Sequence, residues 1–201
     1  MTDSQNNYLE PLDVLAGYAS GIFPMGDGQG IIKWYEANPR GIISIEKGIK
    51  GLHIPRSLKQ VINKNIFKIK IDSAFENVIR NCADRESTWI NDVIVSLYIE
   101  LHKLGYAHSV EAWKSGKLVG GLYGVALKGA FFGESMFHNE SGASKSAVVK
   151  LYEVLLKNDY KLFDIQMITP VFEILGAVQI SKNEYLKRLE TAMSVERNFI
   201  F

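Results

Sequence analysis

The 201 residues are 47% hydrophobic and 22% charged, an ordinary globular balance with enough chain for one large domain or a core with a smaller appendage. A net charge of +1 excludes a global basic field, so any nucleic-acid contact must be a local patch. One cysteine, Cys82, excludes an internal disulfide and a Cys-rich metal site, and no apolar run approaches the length of a membrane span.

The start of the chain, Met1-Thr2-Asp3-Ser4-Gln5, is polar and unlike a signal peptide. Pro11 opens a helix over residues 11–20, with Leu12, Leu15, Ala16 and Ala19 on one face and Gly21 past its end. Residues 21–28 read as a turn-rich loop with exposed apolar side chains. Two short strands near residues 31–35 and 41–45 are expected to form a hairpin. Pro55 opens a helix to about Lys64, with Arg56, Lys59 and Lys64 on its polar side, and residues 67–71 alternate as a strand.

Ser73-Ala74-Phe75-Glu76 has the spacing of a capping box and starts a helix that points Phe75, Val78, Ile79 and Cys82 inward. Cys82 is therefore a core residue and not a nucleophile. Asn91 caps a second helix, which carries Ile94, Leu97, Tyr98 and Leu101 and ends at Gly105. Three strands follow in hairpin succession over residues 107–114, 117–127 and 130–137, turning at Ser115-Gly116 and Lys128-Gly129. A helix over 143–157, a strand over 161–166, a short helix capped at Thr169, a strand near 178–180 and a helix from Ser181 to about Met193 complete the chain.

From Phe67 onward the order is β-α-α-β-β-β-α-β-α-β-α. An antiparallel meander followed by β-α-β crossovers predicts an α+β fold, a mixed sheet of the N-acetyltransferase type flanked by helices. Residues 1–66 are expected to form a small N-terminal domain and residues 67–201 the larger domain that carries this N-acetyltransferase-like sheet. The four histidines, His53, His102, His108 and His138, lack metal-ligand spacing, so no metal is expected.

Two acids stand out. Glu134 lies inside the apolar strand Phe131-Phe132-Gly133-Glu134-Ser135-Met136-Phe137, where alternation sends Phe132, Glu134 and Met136 to one face. A carboxylate in that company is costly unless something cationic or hydrogen-bonding meets it. Asp164 lies in a second apolar strand with Gln166 two residues on, so both point to one face.

Taken in order, these stretches carry a resemblance: Tyr18-Ala19-Ser20-Gly21-Ile22-Phe23-Pro24, Trp34-Tyr35 with Asn38-Pro39-Arg40, Ser87-Thr88-Trp89-Ile90, Phe132-Gly133-Glu134-Ser135-Met136-Phe137, Ala143-Ser144-Lys145 and Asp164-Ile165-Gln166. The chain resembles the bacterial leucyl/phenylalanyl-tRNA–protein transferases, as a divergent member with a shortened N-terminus. The resemblance implies a cytoplasmic enzyme that moves Leu, Phe or Met from aminoacyl-tRNA onto proteins beginning with Lys or Arg, marking them for degradation by the N-degron route. It implies no cofactor, no membrane and a monomer.

By the same resemblance Asp164 and Gln166 are catalytic, and Glu134 meets the basic side chain of the acceptor. Leu122, Phe131, Val148, Leu151 and Phe163 form the donor side-chain pocket. Trp89, Tyr98 and Tyr18 stack on the terminal adenosine of tRNA, and Arg56, Lys59 and Lys64 are its phosphate patch. The chain departs from the family pattern at Met25, where tryptophan is usual, and after Gln166, where Met167-Ile168-Thr169 replaces a polar run.

Two other readings share this sequence. One is an acyl-CoA-dependent N-acetyltransferase on the same kind of fold. Its pyrophosphate loop would fall at His138–Ser144, which has a single useful glycine and a Glu where phosphates would lie. The other is a tRNA- or peptide-binding relative without turnover.

Overall fold

The computed structural model describes residues 9–27, 29–45 and 51–201; residues 1–5 and Gly28, read above as a polar start and a loop end, lie outside them. Its elements are α1 (Pro11–Ala19), β1 (Phe23–Gly26), β2 (Ile32–Tyr35), β3 (Arg40–Ile43), α2 (Arg56–Asn63), β4 (Lys68–Ile71), α3 (Phe75–Ala83), α4 (Asp92–Lys103), β5 (Ala107–Lys114), β6 (Lys117–Leu127), β7 (Ala130–His138), α5 (Ala143–Lys157), β8 (Leu162–Gln166), α6 (Pro170–Ile174), β9 (Val178–Ile180) and α7 (Lys182–Met193). The order from residue 67 onward is the expected one. Seven strands form one mixed sheet in the order β4-β5-β6-β7-β8-β3-β9, antiparallel except where β7 meets β8.

The N-terminal part differs from its reading. β1 pairs with β2 in a separate two-stranded sheet, and Phe23, expected in an exposed loop, is buried. β3 does not pair with β2. All four of its residues are buried, so it fits between two strands of the large sheet, β8 and β9, and not on a hairpin open to water. The division expected after residue 66 is therefore no division of the sheet, because β3 comes from before it. Helix α1 likewise packs into the main core through Val14, Leu15 and Tyr18, while Leu12, Ala16 and Ala19 stay exposed.

Two apolar layers clothe the sheet. One gathers Tyr18, Phe75, Ile79, Leu101, Phe132 and Leu189 under α1, α3, α4 and α7; the other gathers Leu58, Phe131, Val148, Leu151, Leu155 and Phe163 under α2 and α5. The neighbours Phe131 and Phe132 go to opposite layers, as strand alternation requires. Each fully buried aromatic of this kind contributes about 1.5–3 kcal/mol of transfer free energy.

Local capping signals meet mixed fates. Asn91 caps α4 by accepting the Ile94 N–H at 3.0 Å, and Ser181 accepts the Glu184 N–H at 3.3 Å to start α7. Thr169 precedes Pro170 at α6 but its side chain makes no cap hydrogen bond. The capping box at Ser73 does not form. The N–H groups of Ser73 and Ala74 donate instead to Glu111 of β5, at 3.0 and 3.2 Å, and Ser73 Oγ donates to it at 2.7 Å. A fully buried carboxylate from the sheet has taken over the helix start, and Glu76 turns outward to pair with Arg80.

Candidate active site

The site is made by two irregularities in the sheet. β7 and β8 are paired only from Ala130–Leu162 to Phe132–Asp164. Beyond Phe132 they part, and a cleft of about 620 Å³ opens between them. The second irregularity is a β-bulge. Gly124 of β6 pairs with Gly133, and Tyr123 pairs with Ser135, so Glu134 is the extra residue. The backbone kink needs room. A Cβ on Gly124 would sit 2.3 Å from the Phe132 carbonyl oxygen and 2.5 Å from the Phe131 ring.

The bulge corrects the expected alternation. Glu134 shares the Phe132 face, but after the extra residue the pattern inverts, so Met136 packs with the α5 layer and Phe137 with the α1 layer. Glu134 is thereby aimed at Tyr18 and Tyr98. The Tyr18 hydroxyl donates to Oε1 at 2.5 Å, and the Tyr98 hydroxyl lies 3.3 Å from Oε2 and hydrogen-bonds Tyr18. Two hydroxyl hydrogens serve three oxygen–oxygen contacts here, so a proton on Glu134 would supply the third. Burial raises the Glu134 pKa to about 7; the two tyrosine bonds and the charge of Arg40 hold it from rising further. Burial, then the charge of Glu134, pushes both tyrosines well above their ordinary range.

Asp164 is held otherwise. It is fully buried, and Arg40 grips it with Nε at 2.9 Å from Oδ1 and Nη2 at 2.7 Å from Oδ2. The Tyr185 hydroxyl donates to Oδ2 at 2.8 Å and the Gln166 backbone N–H to Oδ1 at 2.8 Å. Burial opposes the Arg40 charge, and the bonds to Asp164 more than offset it, so the Arg40 pKa is raised. Arg40 also donates to the Gly21 carbonyl at 3.0 Å and lies over the Tyr185 ring at 4.3 Å, which ties the turn after α1 to the sheet.

Gln166 follows with a left-handed φ of 53°. Its side chain lines the cleft, is 7% exposed, and its Nε2 has no hydrogen-bond partner among the described residues. Tyr123 is another residue of the cleft, and its hydroxyl is orphaned in the same way. Buried polar groups are satisfied in most folded proteins, so two such orphans on residues of one cleft mark a place for a ligand.

The other expected residues divide. Leu122, Leu151 and Phe163 line the cleft, whereas Phe131 and Val148 lie behind it, Phe131 meeting Phe163 edge-to-face at 5.9 Å. Trp89 stands half-buried on the rim. Tyr18 and Tyr98 are fully buried, with Tyr18 stacked on Phe132 at 4.6 Å and Tyr98 against Tyr123 at 5.5 Å, so neither ring offers the open face expected of it. Arg56, Lys59 and Lys64 are exposed along α2 and do not reach the cleft.

Sequence reasoning missed Ile165, Val171 and Phe172, which complete the apolar wall, and Arg40 and Tyr185 beneath Asp164. The signal for Arg40 was its place at the head of the apolar run Arg40-Gly41-Ile42-Ile43, where a buried cation demands an acid. A second hollow of about 880 Å³, between α1, β2 and α4, is rimmed by Asp13, Asp92 and Glu100 and holds none of the expected site residues.

The mixed sheet opens between its two parallel strands, and a carboxylate and an amide there share one cleft with an apolar wall. The comparisons give the family. Residues 48–190 match the model of the leucyl/phenylalanyl-tRNA protein transferases and residues 8–38 the model of their N-terminal domain. The chain belongs to this family. It is 44% identical to the leucyl/phenylalanyl-tRNA–protein transferase of Rubrobacter xylanophilus, over 95% of this chain and 98% of that one. It is 45% identical to that of Gloeobacter violaceus, over 95% and 97%. A conserved protein of unknown function from Bacteroides thetaiotaomicron is similar in structure with a TM-score of 0.46 and 9% identity, covering 80% of this chain and 57% of that one.

Proposed function

We propose that this chain transfers Leu, Phe or Met from aminoacyl-tRNA to the N-terminal α-amine of proteins that begin with Lys or Arg, committing them to degradation by the N-degron route. It does so as a cytoplasmic monomer. The observation that carries the reading is the joint exposure to one cleft of the Glu134 carboxylate and the orphaned Gln166 amide, opposite an apolar wall of Leu122, Leu151 and Phe163.

The reaction is aminolysis of an ester. The amine lone pair attacks the carbonyl carbon, a C–N bond forms, the ester C–O bond breaks, and the ribose hydroxyl leaves with a proton. An α-amine has a pKa of about 7.7–8.0, so an appreciable fraction is already neutral near pH 7. The ester is activated, and the protein's task is positioning and charge stabilisation. Gln166 hydrogen-bonds the attacking amine. Asp164, with its oxygens taken by Arg40, Tyr185 and the Gln166 main chain, fixes Gln166 and does not reach the substrate. Glu134 receives the basic side chain of the acceptor, a charge-assisted contact that neutral side chains cannot make. Trp89 on the rim is the face for the terminal adenosine. Tyr18 and Tyr98 hold Glu134, and Phe131 and Val148 support the donor pocket from behind. Arg56, Lys59 and Lys64 meet the tRNA body away from the cleft.

The acyl-CoA reading is disfavoured at the start of α5. Ala143 and Ser144 are buried, and Gly142 lies against Val61 and Phe67, which leaves no open helix N-terminus for a pyrophosphate. The test is transfer of labelled Phe from Phe-tRNA to Lys-, Arg- and Ala-initiated peptides, with acetyl-CoA as a competing donor. Transfer to the basic peptides alone is expected. Acetylation without aminoacyl transfer would overturn the reading.

A further inference from the structure

The residues assigned above to the amino acid and the acceptor line only part of the cleft, and one edge has no assigned role. That edge is polar. Asn81, Asp84 and Arg85 come to it from the end of α3 and the loop after it, and His138 and Asn139 from the end of β7. Arg85 is the sole Lys or Arg among the described residues that line the cleft. Its guanidinium is exposed but not loose, because Nη2 donates to the backbone carbonyl of Met136. Nε and Nη1 find no acceptor among the described residues. Met136 is two residues beyond Glu134, so the anchored end of Arg85 stands roughly 7 Å along the strand from the acid. Tyr123, whose hydroxyl is orphaned, belongs to the same cleft.

The donor carries its own constraint. The aminoacyl ester is on the 2′- or 3′-oxygen of the terminal ribose, and a phosphate diester is on the 5′-oxygen of that same ribose. With the amino acid against the apolar wall and the carbonyl by Gln166, this phosphate lies one ribose away, at the cleft mouth. The basic residues of α2 do not line the cleft. An unpaired phosphate beside Glu134 and Asp84 would be repelled, so the mouth needs a cation. Guanidinium groups suit phosphate oxygens because their donors form a planar fork.

Resting on the donor reading of this cleft, we propose that Arg85 is the seat of the phosphate 5′ to the terminal adenosine, with its Met136 anchor holding the guanidinium at the mouth. It thereby distinguishes a nucleotide donor from a nucleoside one.

The test reads binding, so turnover is not needed. The probes are hydrolysis-resistant amides of phenylalanine with 3′-amino-3′-deoxyadenosine, one with and one without a 5′-phosphate. In the native protein the phosphate should tighten binding about tenfold, and raising the salt should erode that gain. Arg85→Ala should bind both probes equally, at the affinity of the nucleoside, and Arg85→Lys should keep part of the preference. Equal affinity in the native protein, or a preference that survives Arg85→Ala, would overturn the Arg85 assignment alone. Failure of both probes to bind would overturn the donor reading of the cleft and this proposal with it.

Discussion

Glu134 on β7 and Asp164 on β8 are two carboxylates on strands that part company at the same level of the sheet, yet they are managed in opposite ways. Asp164 is fully buried beside a cation, Arg40, that matches its charge. Glu134 is partly exposed to the cleft, and its partners Tyr18 and Tyr98 are neutral hydroxyls. The difference lies first in the charge of the partner and then in the number of hydrogen bonds, since Asp164 also accepts from Tyr185 and the Gln166 main chain. A matched acid is a structural strut. An acid held by hydroxyls keeps a raised pKa, about 7, and leaves a place for a cation to arrive.

The largest effect expected from breaking this contrast is at the strut. Arg40→Met leaves Asp164 buried without its cation and should cost about 3–5 kcal/mol in urea unfolding. Adding Asp164→Leu to that variant should recover much of the loss, because no uncompensated charge remains. A double variant no more stable than Arg40→Met would break the strut reading.

The second effect is in stability against pH. The unfolded chain loses the Glu134 proton near the ordinary 4.5, while the folded chain keeps it to about 7. Between those values the folded state binds more protons, so native stability falls as pH rises through the window. Glu134→Gln should remove this fall, which amounts to at most about 3.4 kcal/mol across the window because a tenfold change in proton concentration is worth about 1.36 kcal/mol. Unfolding midpoints of both proteins from pH 4 to 8 measure it, and parallel curves would count against the raised pKa.

The third is in selectivity. Charge-assisted hydrogen bonds are worth about 1.5–3 kcal/mol. Glu134→Gln should therefore reduce transfer to Lys- and Arg-initiated peptides by roughly one to two orders of magnitude, each 1.36 kcal/mol being tenfold. Transfer to a small neutral amine should fall far less. Equal losses with both acceptors would move Glu134 out of the acceptor site.

The smallest effect is at the hydroxyls. Tyr98→Phe removes a bond that favours the ionised acid, so the Glu134 pKa should rise further. The pH at which the KM for an Arg-initiated peptide improves should shift upward, with about 0.5–1.5 kcal/mol lost in stability. An unmoved KM profile would assign the ionised state of Glu134 to Tyr18 alone.

The element order from residue 67, the mixed sheet and most helix boundaries were legible in the sequence because they rest on local periodicity and turn chemistry. Asn91 and Ser181 capped their helices as read, since the groups they satisfy lie within one turn. Ser73 did not, since Glu111, distant in sequence, takes the Ser73 hydroxyl and the Ser73 and Ala74 N–H groups. The apolar side chains of the cleft wall were legible on β6, α5 and β8 and illegible on α6, where the resemblance fades.

By itself the sequence determined the family, the two acids and the strands that carry them, because composition, alternation and ordered motifs are properties of the chain taken one neighbour at a time. The tertiary structure alone decided what surrounds each acid. It inserted β3 between β8 and β9, which brought Arg40 onto Asp164. It also bulged β7 at Glu134, which turned that acid onto two tyrosines from α1 and α4. Partners 124 and 116 residues apart in the chain set these environments, and no local pattern encodes the charge or desolvation such partners impose.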